Sequence, residues 1–191
     1  EAPAPGGEAF WALLMATARA ERSQFDVLRE MLSEDRLALP GPVATLALAG
    51  DGFHGHHGRV WASAEGNLHL CAAVRPEEPA RLAARDALAL TALPAVAVVD
   101  ALRAPALRSL PAGVKWVNDI LVDGAKVAGV LSAAQTVADR VALAVFGIGL
   151  NVAVAPDVPP TPFVPAVTSL AAQGTSRSEE HTSELQSHHP I

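Results

Sequence analysis

Two β-branched, alternating runs flank Asp123-Gly124 in the stretch GVKWVNDILVDGAKVAGVL, residues 113–131. Asp-Gly tolerates the positive φ values of a two-residue turn, so this spacing predicts a β-hairpin. The second arm continues through Ala134 to a turn around Thr136 to Asp139, and Val141 to Ile148 reads as a third strand, giving an antiparallel meander over residues 113–152. Upstream, Ser23 precedes Val27, Leu28, Met31 and Leu32 at helical spacing. The pattern predicts a helix over 24–33, with Ser23 as N-cap and Asp26 where a capping box places its acid or amide. Val43 to Ala49 and Leu68 to Val74 read as strands, the second entered through Gly66-Asn67 and ended by Arg75-Pro76. Glu78 to Arg103 is the longest helix candidate, with Pro94 expected to kink or divide it. Between Ala9 and Arg22 the apolar residues cluster without a clean period, which leaves helix and strand open.

Composition narrows the class. The 191 residues suffice for one domain with a substantial core, and half of them are apolar. A net charge of −6 without a Lys/Arg cluster argues against a nucleic-acid coat. The single cysteine, Cys71, excludes an internal disulfide, which fits a reducing, cytoplasmic setting, and it reads as a small core residue. The most apolar region, Ala87 to Leu102, is interrupted by Thr91, Pro94 and Asp100 and falls short of the roughly 20 residues that span a bilayer. Residues 1–8 are Pro/Gly/Ala-rich and are expected to be disordered, a start that reads as the interior of a longer frame. The tail RSEEHTSELQSHHPI is polar and aperiodic and resembles the conceptual translation of a sequencing-library adapter. Residues 177–191 are therefore expected to be non-native, with a domain over residues 9–176 that is truncated at its C-terminal side.

Three polar features stand out against this background. Lys115, Asn118 and Asp119 interrupt the first arm of the hairpin around Trp116, and Lys126 and Gly129 interrupt the second. Such residues either lie at strand ends in water or face a ligand. The segment GDGFHGHHGR, residues 50–59, satisfies G-x-G-x-x-G after a strand, but no apolar helical period follows it, so a dinucleotide-binding turn is rejected. It remains either an anion-wrapping loop of backbone N–H groups or a flexible surface loop. His54, His56 and His57 lack a further suitably spaced ligand for zinc, and no metal site is assigned. Finally GIGLN, residues 147–151, ends a strand with two glycines around one residue, a sign of close approach by a backbone or ligand, or of a simple bulge.

Taken in order, a Ser-led helix start, the loop ending in GRVW and followed by EGNLHL, KWVND with KVAGVL, and GIGLNV followed by AVTSL resemble the catalytic domain of biotin–protein ligases. The resemblance covers roughly Ser23 to Leu170. It implies an α+β fold, a mixed, largely antiparallel sheet covered by helices, as in class II synthetase-like biotin/lipoate ligases. It also implies ATP-dependent formation of biotinyl-5′-AMP, with Mg²⁺ accompanying ATP, and transfer of biotin to a lysine of a biotin carboxyl carrier domain. By the same resemblance Lys115 meets the biotin carboxylate and the adenylate phosphate, with Asn118 and Asp119 beside it, and Arg59 acts at the end of the nucleotide loop. Gly50, His54, Gly55, His56 and Gly58 belong to that loop, and Trp61 packs on the closed adenylate. Ser23 and Gln24 fall at the biotin contact, Gly129 at the biotin pocket, and Asn151 near the adenine, where Gly147 and Gly149 give room.

Several positions depart from the family pattern. Gln24 and Phe25 replace Thr and Asn, His54 and His56 stand where arginines are usual, and Val117 stands where proline is usual. A histidine is mostly neutral near pH 7 unless its pKa is raised, so the expectation is an activity that is weakened, made pH-dependent, or shifted to another substrate of the superfamily. The departures keep two alternatives open: a lipoate or octanoate ligase or transferase of the same superfamily, and a diverged module that binds a small carboxylate or a carrier without activating it. A biotin-responsive repressor is the poorer expectation, since the 191 residues carry no helix-turn-helix ahead of the domain, and a homodimer is left open.

Overall fold

The computed structural model describes residues 11–34, 41–76, 82–104, 110–164 and 166–174. The expected lead over 1–8 and the tail over 177–191 lie outside the described residues. Seven strands form one sheet: β1 (Leu13–Ala20), β2 (Val43–Gly50), β3 (Leu68–Val74), β4 (Ala112–Lys115), β5 (Asp119–Val122), β6 (Ala125–Val137) and β7 (Arg140–Leu150). Their order is β1-β2-β3-β7-β6-β5-β4. β1 and β2 run parallel and every other neighbouring pair is antiparallel, so the sheet is mixed as expected. The aperiodic stretch after Ala9 is thus resolved as an edge strand, mostly exposed, which explains why no burial rhythm marked it.

Helix α1 (Gln24–Ser33) has the expected bounds and buries Phe25, Leu28 and Leu32. Its N-cap corrects the capping-box expectation. Ser23 makes no side-chain cap hydrogen bond, and the Asp26 carboxylate is taken by His54 instead. Helix α2 (Ala87–Arg103) runs unbroken through Pro94, against the expected division, and begins later than the sequence suggested. The reason is a long-range pairing: Leu82 O accepts Val141 N–H and Ala84 N–H donates to Asp139 O, which holds the chain extended before a 3₁₀ turn at Ala84–Asp86. Residues 78–81 of that expected helix lie outside the described residues.

At the Asp123-Gly124 turn φ is +49° and +78°, the geometry that favoured this pair. The arm before the turn is not one strand. It divides into β4 and β5 around a turn at Trp116 to Asn118, with Lys115 paired to Asp119 across the reversal. The turn after β6 falls at Ala138-Asp139.

The two helices cover opposite faces. α2 packs Ala95, Val98, Val99 and Leu102 on Ile120, Val122, Ala128 and Val130. α1 packs Phe25, Leu28 and Leu32 on Cys71, Ala73, Leu143 and Val145. Cys71 is core, and burial pushes its thiol up to about 12. Because side chains alternate along a strand, the face under α1 also carries His69, Gly149 and Gly129, just beyond the N-terminus of the helix. Among the described residues no helix is long and apolar enough to cross a membrane.

Candidate functional site

Strand register lays one row of residues straight across the sheet. Ala47 pairs with His69, His69 with Gly149, Gly149 with Gly129, Gly129 with Asp119, and Asp119 with Lys115. The two glycines leave a trough in the middle of the row, and a cleft of about 560 Å³, counting its open mouth, lies over it. The ring of Trp61, carried in by the loop after β2, lies on this floor. A Cβ at Gly149 would overlap the Trp61 ring, and one at Gly129 would come within 2.8 Å of it. Gly147, one row back, allows Phe25 of α1 the same approach at 3.3 Å.

Cations gather at one end of the trough. Lys126 Nζ lies 2.6 Å from Asp119 Oδ1 and 5.3 Å from the centre of a Trp61 ring. Lys115 Nζ lies 3.2 Å from Asp119 Oδ2. Two ammonium groups share one carboxylate, so the cluster keeps an excess positive charge next to apolar surface, where it favours a bound anion. Lys126 is the more enclosed, its side chain 18% exposed against 35% for Lys115. The backbone of Lys126 is fixed from outside the sheet: its N–H donates to Ala166 O, and its carbonyl accepts Thr168 N–H. The AVTSL segment is thus a strap on that lysine.

The loop from Gly50 to Trp61 folds against α1. His54 Nδ1 donates to Gly55 O at 3.1 Å, and Nε2 meets Asp26 Oδ2 at 2.7 Å. The carbonyl of Gly55 and then the Asp26 carboxylate raise the His54 pKa above the usual imidazole value. His56 goes the other way: burial first, then His57 and Arg59, lowers its pKa. The two histidines that stand in place of cations therefore differ, and His56 is held neutral near pH 7. Positive φ at Gly52, His57 and Gly58 gives the loop its tight course. Gly50 admits the Phe53 ring, which a Cβ would strike, and its N–H donates to Ser63 Oγ at 3.0 Å.

The structure brings Ser23, Gln24, His54, Gly55, Trp61, Asn118, Gly129, Gly147 and Gly149 to the cleft wall. Other expected residues lie elsewhere. Lys115 does not line the cleft, because the reversal after β4 sets it behind Asp119, and Asp119 itself acts through the lysines. Arg59 is exposed, with Nε donating to His56 O at 3.3 Å, while His56 and Gly58 form a 3₁₀ turn outside the cleft. Asn151 is also outside it: Nδ2 donates to Thr168 O at 3.1 Å, and Oδ1 accepts from Asn67 Nδ2 at 3.4 Å. Both of its polar ends are already engaged.

Three residues were missed by sequence reasoning. Lys126 was visible only as a polar interruption. His69 had a signal in the lone polar position of LHLCAAV. Asn67 read as a turn residue, yet its Oδ1 accepts the N–H groups of Val152, Ala153 and Val154 and shapes the sheet end. Among the described residues no three His, Cys, Asp or Glu side chains are grouped to hold a metal ion.

Over residues 32–151 the sequence matches the Biotin/lipoate A/B protein ligase family. A bifunctional ligase/repressor BirA of Bacillus spizizenii is 38% identical over 118 residues, covering 61% of this chain and 34% of that protein. A biotin–[acetyl-CoA-carboxylase] ligase of Paracoccus denitrificans is 34% identical over 119 residues, covering 62% of this chain and 48% of the relative. The chain thus spans between a third and a half of these curated relatives. Among solved structures, a biotin protein ligase from Leishmania major in complex with biotin superposes with a TM-score of 0.63 at 21% identity, covering 86% of this chain and 65% of that one. One from Aquifex aeolicus in complex with biotin and ATP gives 0.58 at 25% identity, covering 85% and 61%.

Proposed function

Because the chain belongs to the biotin/lipoate A/B protein ligase family, we propose that it joins biotin to protein in two steps driven by ATP. A biotin carboxylate oxygen attacks the α-phosphorus of ATP, and pyrophosphate leaves to give biotinyl-5′-AMP. The Nζ of a carrier lysine, in its neutral form, then attacks the acyl carbon. AMP leaves, and the amine proton passes to solvent. The acceptor in this reading is a biotin carboxyl carrier domain, and the setting is the cytoplasm, where ATP and reduced thiols are found.

The observation that carries the reading is the glycine trough ending at the Lys126–Asp119–Lys115 cluster. Bringing a carboxylate to a polyphosphate requires charge neutralisation and shielding from water more than a strong base. Lys126 reaches over Gly129 and meets the carboxylate and the phosphoryl oxygens. Asp119 aims that lysine and keeps the second one, Lys115, close enough to add to the field. Trp61 has to swing off the Gly129 and Gly149 floor to admit the acid and then packs over it to keep water from the mixed anhydride, with the glycine loop and Arg59 covering the phosphates. Ser23 and Gln24, at the α1 N-terminus, contact the ring end of biotin, and Asn118 borders the cationic end. Asn151 positions the strap that holds Lys126 through Thr168.

Mg²⁺ is not built into this scheme by the protein. The described residues offer no acidic cluster, and the one carboxylate at the site is shared by two lysines. A Mg²⁺ ion would arrive on the nucleotide, and none of the residue roles above depends on it. The test is ATP–pyrophosphate exchange with biotin, lipoate or octanoate. Exchange dependent on biotin supports the reading; exchange only with lipoate or octanoate moves it to the sister activity, and none with any acid leaves a binding module.

A further inference from the structure

Within the row that crosses the sheet, His69 has no task in the chemistry above. It stands on β3 at the end of the glycine trough remote from Lys126, its side chain lines the cleft, and it is 6% exposed. Nδ1 lies 3.3 Å from Ala47 O. A carbonyl only accepts, so Nδ1 carries the proton, and Nε2 of the neutral ring presents a lone pair. Burial holds the ring neutral by lowering its pKa. Phe53 lies against the ring, 4.7 Å between centroids. Nε2 itself is buried without a hydrogen-bond partner among the described residues. A buried acceptor left unpaired in the free protein is the mark of a position that a ligand completes.

We propose that His69 determines substrate specificity: its Nε2 accepts an N–H of the substrate's ring system, the cyclic urea of biotin, while the carboxylate of the same molecule lies at Lys126. This rests on the biotin reading of the site. The length is set by the sheet, since three strand spacings separate β3 from β5, about 14 Å between His69 and Asp119. An extended acid with a polar ring at its far end spans that trough. An acid without an N–H would leave Nε2 unpaired and bind less well for that reason.

The test is calorimetric titration of the full chain with biotin and with octanoate, in the parent, His69→Phe and His69→Gln. His69→Phe is expected to weaken biotin at least about tenfold and to leave octanoate unchanged, while His69→Gln, which keeps a side-chain acceptor, recovers part of the loss. Equal biotin affinity in parent and His69→Phe, or equal weakening of both acids, overturns the role of His69 alone. A parent that binds octanoate or lipoate but not biotin overturns the biotin reading and this inference with it. Should His69→Phe fail to fold by circular dichroism, the parent titrated with biotin methylated at its ring nitrogens decides: lost binding supports the contact, and unchanged binding overturns it.

Discussion

Asp26 on α1 and His54 on the glycine loop are joined through Oδ2 and Nε2 at 2.7 Å, which ties the loop to the helix whose first residues line the cleft. With Nδ1 also donating to Gly55 O, both ring nitrogens act as donors, the state of an imidazolium. Arg29 lies on the same carboxylate at 3.5 Å and competes for it. The pKa of His54 is raised above 6.5, by the Gly55 carbonyl first and then by Asp26. A raised pKa contributes stability that is fully present below the unfolded value and is lost as pH rises through the folded value. The latch is therefore expected to hold below about pH 6.5 and to loosen above its raised pKa. The hydrogen-exchange protection of residues 50–60, with the intrinsic pH dependence of amide exchange divided out, should fall across that window, and Asp26→Asn should move the His54 titration downward. Protection that is flat in pH would show that the contact does not hold the loop.

Lys126 and Lys115 share Asp119, but only Lys126 lines the cleft. Lys126→Ala is expected to lower biotin-dependent pyrophosphate exchange by about 10²–10³-fold, the loss typical of removing one preorganised charge contact. Lys115→Ala should cost less. Equal losses, or a larger one at Lys115, would return the leading role to the lysine that the sequence resemblance favoured.

A Cβ at Gly149 overlaps the Trp61 ring. Gly149→Ala should displace the ring toward solvent, redshift the tryptophan emission, and destabilise the fold by about 1–3 kcal/mol as an overpacked site does. Urea unfolding together with emission spectra checks both. Unchanged emission would mean that Trp61 does not rest on this floor.

Asn67 is 2% exposed, and its Oδ1 accepts three backbone N–H groups of residues 152–154. Asn67→Ala removes that acceptor, with an expected cost of about 1–3 kcal/mol. The midpoint of urea unfolding should fall without a change in its slope. An unchanged midpoint would show that water replaces the side chain.

Much of the site was legible as local chemistry. Gly129, Gly147 and Gly149 were marked by their place in strand patterns, and Trp61 and His54 by the glycine loop before them. Asn151 was legible as a polar residue at a strand end, but not that Asn67 and Thr168 would occupy both of its ends. Such partners lie far away in sequence, and no local pattern registers them.

The sequence alone determined the elements whose cause is local: the Asp123-Gly124 turn, whose residues accept positive φ, helix α1 with its apolar stripe, and β3 with its bounding turns. Tertiary structure decided which lysine faces the cleft. Lys126 and Gly129 are three residues apart, an odd spacing that a regular strand sends to opposite faces. The register shift between Ile120 and Leu121 resets that phase, so Lys126 Nζ comes within 3.3 Å of where a Gly129 Cβ would lie. A bulge depends on the pairing of two strands, and the reversal that moves Lys115 behind Asp119 depends on a third. Neither is written in the alternation of one strand.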